Sequence, residues 1–212
     1  AVAATNRFGQ RASFSNWGVG LDFSAPGQDI NSTDRLGSSG YVSGDYVVVN
    51  GTSFASPYTA GVAALVLSQC PGLTAIEVEQ VLQRSATDLG TVGYDTNFGW
   101  GQVNARGALD LVKQNPIGTQ PSGVLVCSTG SASYSIAASG VSALSYQWQY
   151  RGGAATDWVN LTNGVNSVGG DFLLFATGVL TPTLSVNHSP TAWPGSGEVR
   201  CVVSWVCLSV TS

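Results

Sequence analysis

The stretch that most suggests chemistry surrounds a serine at position 53. It reads Asn50-Gly-Thr-Ser-Phe-Ala-Ser-Pro-Tyr-Thr-Ala-Gly-Val-Ala-Ala-Leu65, a tight Gly-Thr turn followed by small apolar residues typical of a helix. Ser53 would open this helix, with its hydroxyl at the positive end of the helix dipole and its own N–H pointing out of the first turn. Such an N–H suits the stabilisation of an oxyanion. An isolated serine at a helix start is more often a plain N-cap.

The other residue types limit what Ser53 can be combined with. His188 is the one histidine of the chain, so chemistry that needs two histidines is excluded, and its Ser-Val-Asn-His-Ser-Pro context favours an exposed loop. The cysteines lack the short paired spacings of a zinc site and are compatible with disulfides in an oxidising compartment. They are Cys70, Cys127, Cys201 and Cys207.

Charge is scarce, with 8 Lys+Arg, 12 Asp+Glu and a formal net charge of −4. Charged residues make up 9% of the chain, against roughly 25% in an ordinary soluble domain. Clustered Lys and Arg are absent, which argues against a nucleic-acid partner. The longest apolar run, 60–67, is far shorter than the roughly 18 residues that a membrane span needs. Because the chain has no methionine, we expect a processed form or a fragment.

The first half of the chain has the helical patterns. Residues 53–69 are apolar on nearly every face, which predicts a buried helix that stops before Cys70-Pro-Gly. Thr74 and Glu77 form a capping-box pattern for a second helix, and Asn104 would cap a short third one. Helices mixed with strands favour an α/β layer structure. The predicted strands are 2–4, 22–24, 46–49 and the region 99–103.

The composition changes near residue 115. The Pro- and Gly-rich segment 114–123 predicts a linker between domains at 1–113 and 124–212. Short β-rich runs separated by turn residues follow it and favour an antiparallel sandwich with Trp148 in its core. These runs are 124–127, 132–137, 146–150, 158–161, 171–175, 183–186, 198–204 and 208–211.

The string Gly-Thr-Ser-x-Ala-x-Pro around Ser53, with the small-residue helix after it, resembles the nucleophile segment of subtilisin-like serine proteases. Further strings resemble signatures of that family and extend the resemblance over residues 1–113, in register with the C-terminal part of its catalytic domain. They are Arg11-Ala-Ser-Phe-Ser-Asn-Trp-Gly18, Leu21-Asp-Phe-Ser-Ala-Pro-Gly27, Ser85-Ala-Thr-Asp-Leu-Gly90 and Phe98-Gly-Trp-Gly-Gln-Val-Asn-Ala105. Tyr58 stands where the family commonly has a histidine outside the triad, which we interpret as a packing change.

The resemblance implies the C-terminal part of a parallel-sheet α/β fold and acyl transfer by an Asp-His-Ser triad. Ser53 would attack the peptide carbonyl, its N–H and an asparagine side chain would hold the oxyanion, and Thr52 would steady it. Only Ser53 finds its place, because the family's aspartate, histidine and asparagine precede this segment, so we expect the chain alone to be inactive. Some relatives bind a cation near the position of Asp22, but one carboxylate favours a plain loop acid. No cofactor or metal is predicted, and calcium would belong to the complete protein.

The second domain resembles a bacterial immunoglobulin-like module, on Tyr146-Gln-Trp-Gln and Gly197-Glu-Val-Arg-Cys-Val-Val-Ser204. We favour a Cys127–Cys207 disulfide between its first and last strands. That pairing leaves Cys201 and Cys70 as buried thiols. The alternative is a disulfide between these two across the domains, which nothing in the sequence supports. Three tryptophans would either bind glycan or protein or pack in the core or at a strand edge: Trp158, Trp193 and Trp205.

The leading hypothesis is a secreted or extracellular serine endopeptidase with an accessory immunoglobulin-like domain. Its partners would be a protein or peptide substrate and a glycan or protein ligand of the second domain, with no nucleic acid and no membrane span. The alternative is a non-catalytic secreted binding or surface protein that uses the second domain. Aspartate and histidine motifs encoded upstream would decide for the enzyme.

Overall fold

A computed structural model describes residues 1–114, 116–121, 130–140, 143–152, 156–167, 173–188, 197–205 and 207–211. The chain divides into two compact units, Ala1–Val112 and Lys113–Ser212. None of the helices in this described part combines the length and the apolar character that a membrane crossing needs.

The first unit mixes helices with short strands, as an α/β structure should. Strand β1 pairs in parallel with β2, and β3 pairs with β4 as an antiparallel hairpin. Three helices follow, and α1 packs on β1, β2 and α2. The elements are β1 (Val2–Thr5), β2 (Phe23–Pro26), β3 (Ile30–Thr33), β4 (Tyr46–Val49), α1 (Thr52–Gln69), α2 (Ala75–Ser85) and α3 (Ala105–Lys113).

Helix α1 is buried along one stripe only, so the expectation of a helix buried on all sides is wrong. Its buried side chains follow at helical spacing: Ala55, Thr59, Val62 and Val66. On the other side Leu65 and Leu67 are 46% and 39% exposed. An apolar circumference predicts burial, but among the described elements β1, β2 and α2 cover just one side of this helix.

The predicted capping interactions are confirmed. The Thr74 side chain accepts from the Glu77 N–H while the Glu77 carboxylate accepts from the Thr74 N–H at 2.8 Å, which completes a capping box. The Asn104 side chain accepts from the Gly107 N–H at 2.9 Å at the start of α3. Both arrangements satisfy N–H groups that a first helical turn leaves without partners.

The strands of the first unit differ from the prediction at two places. The region 99–103 makes isolated bridges instead of a strand, from Gln102 to Ser24 and Thr87 and from Gly99 to Asp95. Gly99 and Gly101 have φ values of +66° and +115°, a left-handed conformation that interrupts an extended strand. Strand β3 was not predicted, because its polar Asn-Ser-Thr sequence has no apolar alternation.

In the second unit two four-stranded antiparallel sheets have the orders β10-β11-β12-β6 and β14-β13-β8-β9. A further pair, β5 with β7, uses residues 117–119, so the segment interpreted as a linker contains a strand. Strand β10 was not predicted, and the predicted run 124–127 lies outside the described residues. The strands are β5 (Ile117–Thr119), β6 (Gly130–Ser135), β7 (Ala137–Ala138), β8 (Ser145–Gly152), β9 (Val159–Asn160), β10 (Gly164–Ser167), β11 (Leu173–Thr177), β12 (Thr183–His188), β13 (Gly197–Trp205) and β14 (Leu208–Thr211).

Both sheets contribute to one hydrophobic core, and Trp148 lies in it as predicted. The Trp148 side chain is completely buried, and its Nε1 donates to the Thr181 carbonyl at 2.9 Å. A buried indole needs such an acceptor. Around it pack residues of β6, β8, β11, β12 and β13, among them Leu174, Leu184 and Val203.

Candidate functional site at the start of helix α1

Ser53 is the second residue of α1 and its side chain is exposed. Neither its hydroxyl nor its N–H makes a hydrogen bond to any residue that the structure describes. The N–H belongs to the first helical turn, where donors point away from the helix. A nucleophilic oxygen and an oxyanion donor are therefore presented together to solvent, at the positive end of an 18-residue helix.

The turn before Ser53 is held by two glycines that approach each other closely. The Gly51 N–H donates to the Gly27 carbonyl at 2.8 Å, and the Gly27 N–H donates to the Thr5 carbonyl at 3.0 Å. A Cβ on Gly27 would lie 2.7 Å from the Ala4 Cβ and 2.7 Å from the Gly51 carbonyl oxygen. The backbone at the end of β2 thus fixes the distance between the Ser53 turn and β1. Only glycine at position 27 leaves space for this close approach.

Asn50 fastens the same turn from the other side. Its Oδ1 accepts from the Asp29 N–H at 2.7 Å, which ties the end of the β3–β4 hairpin to the beginning of the hairpin. Sequence reasoning did not assign a role to Gly27 or Asn50. The Ala-Pro-Gly string contains Gly27, and the Asn-Gly-Thr-Ser string contains Asn50. The hydrogen bonds between these two segments join residues that are distant in the chain.

Pro57 affects Ser53 directly. It is the sixth residue of α1, just after the first turn, so its missing N–H is not one of the unpartnered donors of the helix start. In a regular helix that N–H would donate to the carbonyl four residues earlier, which is that of Ser53. Pro57 therefore denies the Ser53 carbonyl its usual intrahelical bond.

The residues around Ser53 divide into anchors and surface groups. Ala55 and Thr59 face the strands, and the Thr59 hydroxyl donates back to the Ala55 carbonyl at 3.2 Å. Thr52 is half-buried, and its predicted support of an oxyanion stays a prediction. Tyr58 is 50% exposed, so within the described residues it is a surface residue rather than a packing substitute.

The structure places no histidine in the unit that contains Ser53. His188 is the last residue of β12 in the second unit, with Gly130 and Leu174 as its neighbours across the sheet. The expectation of a loop histidine is therefore wrong. Asp22 accepts from the Ala1 ammonium group. No group of three or more potential metal ligands occurs among the residues that the structure describes.

The structure describes three of the cysteines and their bonding states. Cys70 and Cys207 are both disulfide-bonded, so the expectation of a thiol at Cys70 is wrong. The favoured partner of Cys207, Cys127, lies outside the described residues. Since Cys70 is bonded and Cys201 is a thiol, a Cys127–Cys207 bond would leave Cys70 without a cysteine to bond to, so the favoured pairing conflicts with the bonded state of Cys70. Cys201 is completely buried, and burial raises the pKa of its thiol to about 11. At neutral pH it is protonated and unsuited to nucleophilic chemistry.

The three tryptophans considered as ligand contacts differ from one another. Trp205 is 8% exposed and so belongs to the packing of its sheet. Trp193 lies outside the described residues. Trp158 is half-buried, with the guanidinium groups of Arg151 and Arg200 over its ring.

The Ser53 site lies within a recognised family match. The model of the subtilase family matches residues 1–101. This part is just under half of the chain and is similar to subtilisin-like proteases. It contains β2, α1 and the whole segment between them.

Curated relatives agree with the family match. The thermostable alkaline protease of Halalkalibacterium halodurans is 44% identical over 105 residues, which cover 50% of this chain and 26% of the relative. Subtilisin BL of Lederbergia lenta is 41% identical over 108 residues, 51% of this chain and 36% of the relative. The extracellular protease of Xanthomonas campestris is 50% identical over 90 residues, 42% of this chain and 16% of the relative. The chain thus spans about a third or less of each.

Solved structures similar to about half of the chain were also found. A protease from Pseudoalteromonas arctica has 36% identity and a TM-score of 0.45, and covers 51% of this chain and 34% of its own. MycP1 from Mycobacterium smegmatis has 30% identity and a TM-score of 0.43, and covers 51% and 28% respectively.

Proposed function

We propose that this chain is part of a serine endopeptidase in which Ser53 is the nucleophile. Ser53 would attack the peptide carbonyl to form an acyl-enzyme, a histidine would take its proton, and an aspartate would orient the histidine. The observation that supports this most is the exposed Ser53 hydroxyl beside its own open N–H, on a turn fixed by Gly27 and Gly51.

The base and the aspartate are proposed to come from residues outside the 212 present. The one histidine of the chain, His188, lies in the other unit, in strand β12. A serine hydroxyl without a base is a weak nucleophile. The chain by itself is therefore proposed to be inactive, with the Ser53 N–H, supported by Thr52, as its remaining contribution to an oxyanion site.

Protein or peptide substrates and an extracellular location are part of the same proposal. The relatives are proteases by name, and the one from Xanthomonas campestris is called extracellular. The second unit is proposed to be an immunoglobulin-like accessory module. Its two antiparallel sheets around the Trp148 core support this. The alternative, a non-catalytic binding protein, would use the same unit without chemistry at Ser53.

The proposal is tested with the longest form of the protein that its gene encodes. We expect that form to hydrolyse casein and to react at Ser53 with a serine-directed fluorophosphonate. Ser53→Ala should abolish both. Ser68→Ala is the matched control, since Ser68 lies in the last turn of α1 and its hydroxyl donates to the Leu65 carbonyl; it should retain both.

Two results would contradict the proposal at different points. Hydrolysis that persists in Ser53→Ala would remove Ser53 from the mechanism. Fluorophosphonate labelling of residues 1–212 alone, at the rate of the longest form, would show that no base from elsewhere is needed. If the longest form neither cleaves nor labels, the alternative of a binding protein gains the support.

A further inference from the structure

Three charged side chains of the second unit lie close to one indole ring. Residues 116–212 contain only five charged residues, and one of them, Asp171, lies outside the described residues. Arg151, Glu198 and Arg200 stand on neighbouring strands, and Asp157 directly precedes Trp158 in the chain. Three of the five charges of residues 116–212 therefore belong to neighbouring strands.

Strand register puts these side chains on one face of the sheet. Arg151 lies opposite Glu198, and Gln149 lies opposite Arg200 on one side and Asn160 on the other. Successive residues of a strand alternate between faces. Because Trp148 and Cys201 face the core, the residues next to them in the strands face away from it. We call this outward face, made of Gln149, Arg151, Trp158, Asn160, Glu198 and Arg200, the arginine face.

Trp158 holds the two cations in place. The guanidinium carbons of Arg151 and Arg200 lie 4.7 Å and 4.2 Å from the centre of its ring. Both distances are in the range of cation–π attraction, and the planar groups lose little further freedom when they bind a ligand. The guanidinium groups thus lie over the ring, where a neutral sugar would otherwise stack.

The two arginines differ in how far their charge is satisfied. Arg151 forms an ion pair with Glu198. Arg200 donates from Nε to the Gln149 Oε1 at 2.6 Å, a neutral acceptor, and pairs with no carboxylate among the described residues. The terminal nitrogens of Arg200 thus leave a fork for an incoming carboxylate. Nearby amide groups of Gln149 and Asn160, which bond to each other at 2.7 Å, both donate and accept.

We infer that the arginine face binds an acidic polysaccharide with uronate carboxylates. Arg200 would take a carboxylate in a bidentate pair. The amides of Gln149 and Asn160 would exchange hydrogen bonds with sugar hydroxyl groups, and Glu198 would accept one. An acidic peptide would bring carboxylates for Arg200 but, unlike a polysaccharide, no row of hydroxyl groups for the Gln149 and Asn160 amides. The inference is independent of the proposed peptidase activity.

The test measures binding of chain 1–212 to polygalacturonate by calorimetry at low ionic strength, with dextran as the neutral probe. We expect binding of polygalacturonate, none of dextran, and a loss of affinity as salt is added. Arg200→Gln should weaken binding at least tenfold. Arg35→Gln is the charge-matched control on an exposed loop of the first unit and should bind as the unaltered chain does.

A second variant tests the inference in the opposite direction. Glu198→Gln frees Arg151 from its ion pair and keeps an acceptor for hydroxyl groups, so it should bind polygalacturonate at least twofold more tightly. The inference is overturned if polygalacturonate does not bind, if Arg200→Gln binds like Arg35→Gln, or if Glu198→Gln weakens binding. Equal affinity for poly-glutamate would overturn it in favour of an acidic peptide.

Discussion

The position of Ser53 depends on residues that have no reactive group. The chain reaches α1 through a turn whose backbone touches the end of β2, and the Gly27 carbonyl accepts from the Gly51 N–H at 2.8 Å. A nucleophile misplaced by about 1 Å can lose a hundredfold in rate. The geometry of this backbone contact should therefore matter to the proposed reaction almost as much as the serine itself.

Replacing Gly27 by alanine tests that dependence. The added Cβ would lie 2.7 Å from both the Ala4 Cβ and the Gly51 oxygen, so β1 or the Ser53 turn must shift. We expect the variant of the longest form to lose stability by about 1–3 kcal/mol, as overpacked sites do. The rate of fluorophosphonate labelling at Ser53 should fall roughly ten- to a hundredfold.

Gly61→Ala provides the matched control in the same unit. Gly61 lies inside α1, and a Cβ built on it meets nothing within 4 Å. Alanine favours a helix over glycine by about 0.5–1 kcal/mol, so this variant should gain stability and keep its labelling rate. If both glycine variants label at the unaltered rate, the contact between Gly27 and Gly51 does not position the nucleophile.

Features of this site that depend on neighbouring residues could be predicted from the sequence, whereas contacts between distant residues could not. The place of Ser53 at a helix start could be predicted, since Gly-Thr before it and small residues after it are local signals. The Gly27–Gly51 contact could not, because it joins residues 24 positions apart. The arginine face was also missed, because only strand register places Arg151, Arg200 and Trp158 together.

At the scale of elements, helix starts were better predicted than burial. The cap residues Thr74 and Asn104 act within one helical turn, and the structure confirms both. The all-round burial of α1 was wrong, since burial depends on which elements surround a helix. Likewise the glycines at 99 and 101 interrupt a predicted strand through φ values that composition alone does not state.

The capping box of α2 should make the stability of this helix depend on pH. Hydrogen bonds from the Thr74 N–H, and then from its hydroxyl, hold the pKa of the Glu77 carboxyl below its ordinary value of 4.5. A lowered pKa means that the contribution is present above the ordinary value and is lost as the pH falls through the folded-state value. We therefore expect the amides of α2 to lose protection at acid pH, as measured by hydrogen exchange. Glu77→Gln should remove this acid-dependent loss.

Two further variants make this prediction specific. Thr74→Ala removes the cap and should destabilise α2 by about 1 kcal/mol at neutral pH. Glu79→Gln changes a neighbouring glutamate that accepts from Gln83 at 3.1 Å and leaves the box intact, so the acid-dependent loss should remain. An unchanged pH profile in Glu77→Gln would assign the acid sensitivity of α2 to other groups.

At the scale of the whole molecule, the two units bury side chains of different size. The first unit packs small residues of β1 and β2 against one stripe of α1, with Leu82 of α2 4% exposed. The second unit packs larger side chains between two sheets, with Leu184 of β12 completely buried. Because the chain divides into two compact units, we expect the stability of each unit to respond separately to its own residues.

A matched pair of core truncations tests this separation. Leu82→Ala and Leu184→Ala remove the same atoms from the two cores, and each should cost about 2–5 kcal/mol in the unit that contains it. Hydrogen exchange followed by peptide in chain 1–212 reports each unit separately. Leu82→Ala should speed exchange in β1, β2, α1 and α2 alone, and Leu184→Ala in β6, β8, β11, β12 and β13 alone. Faster exchange in both units of either variant would show that the two cores unfold as one.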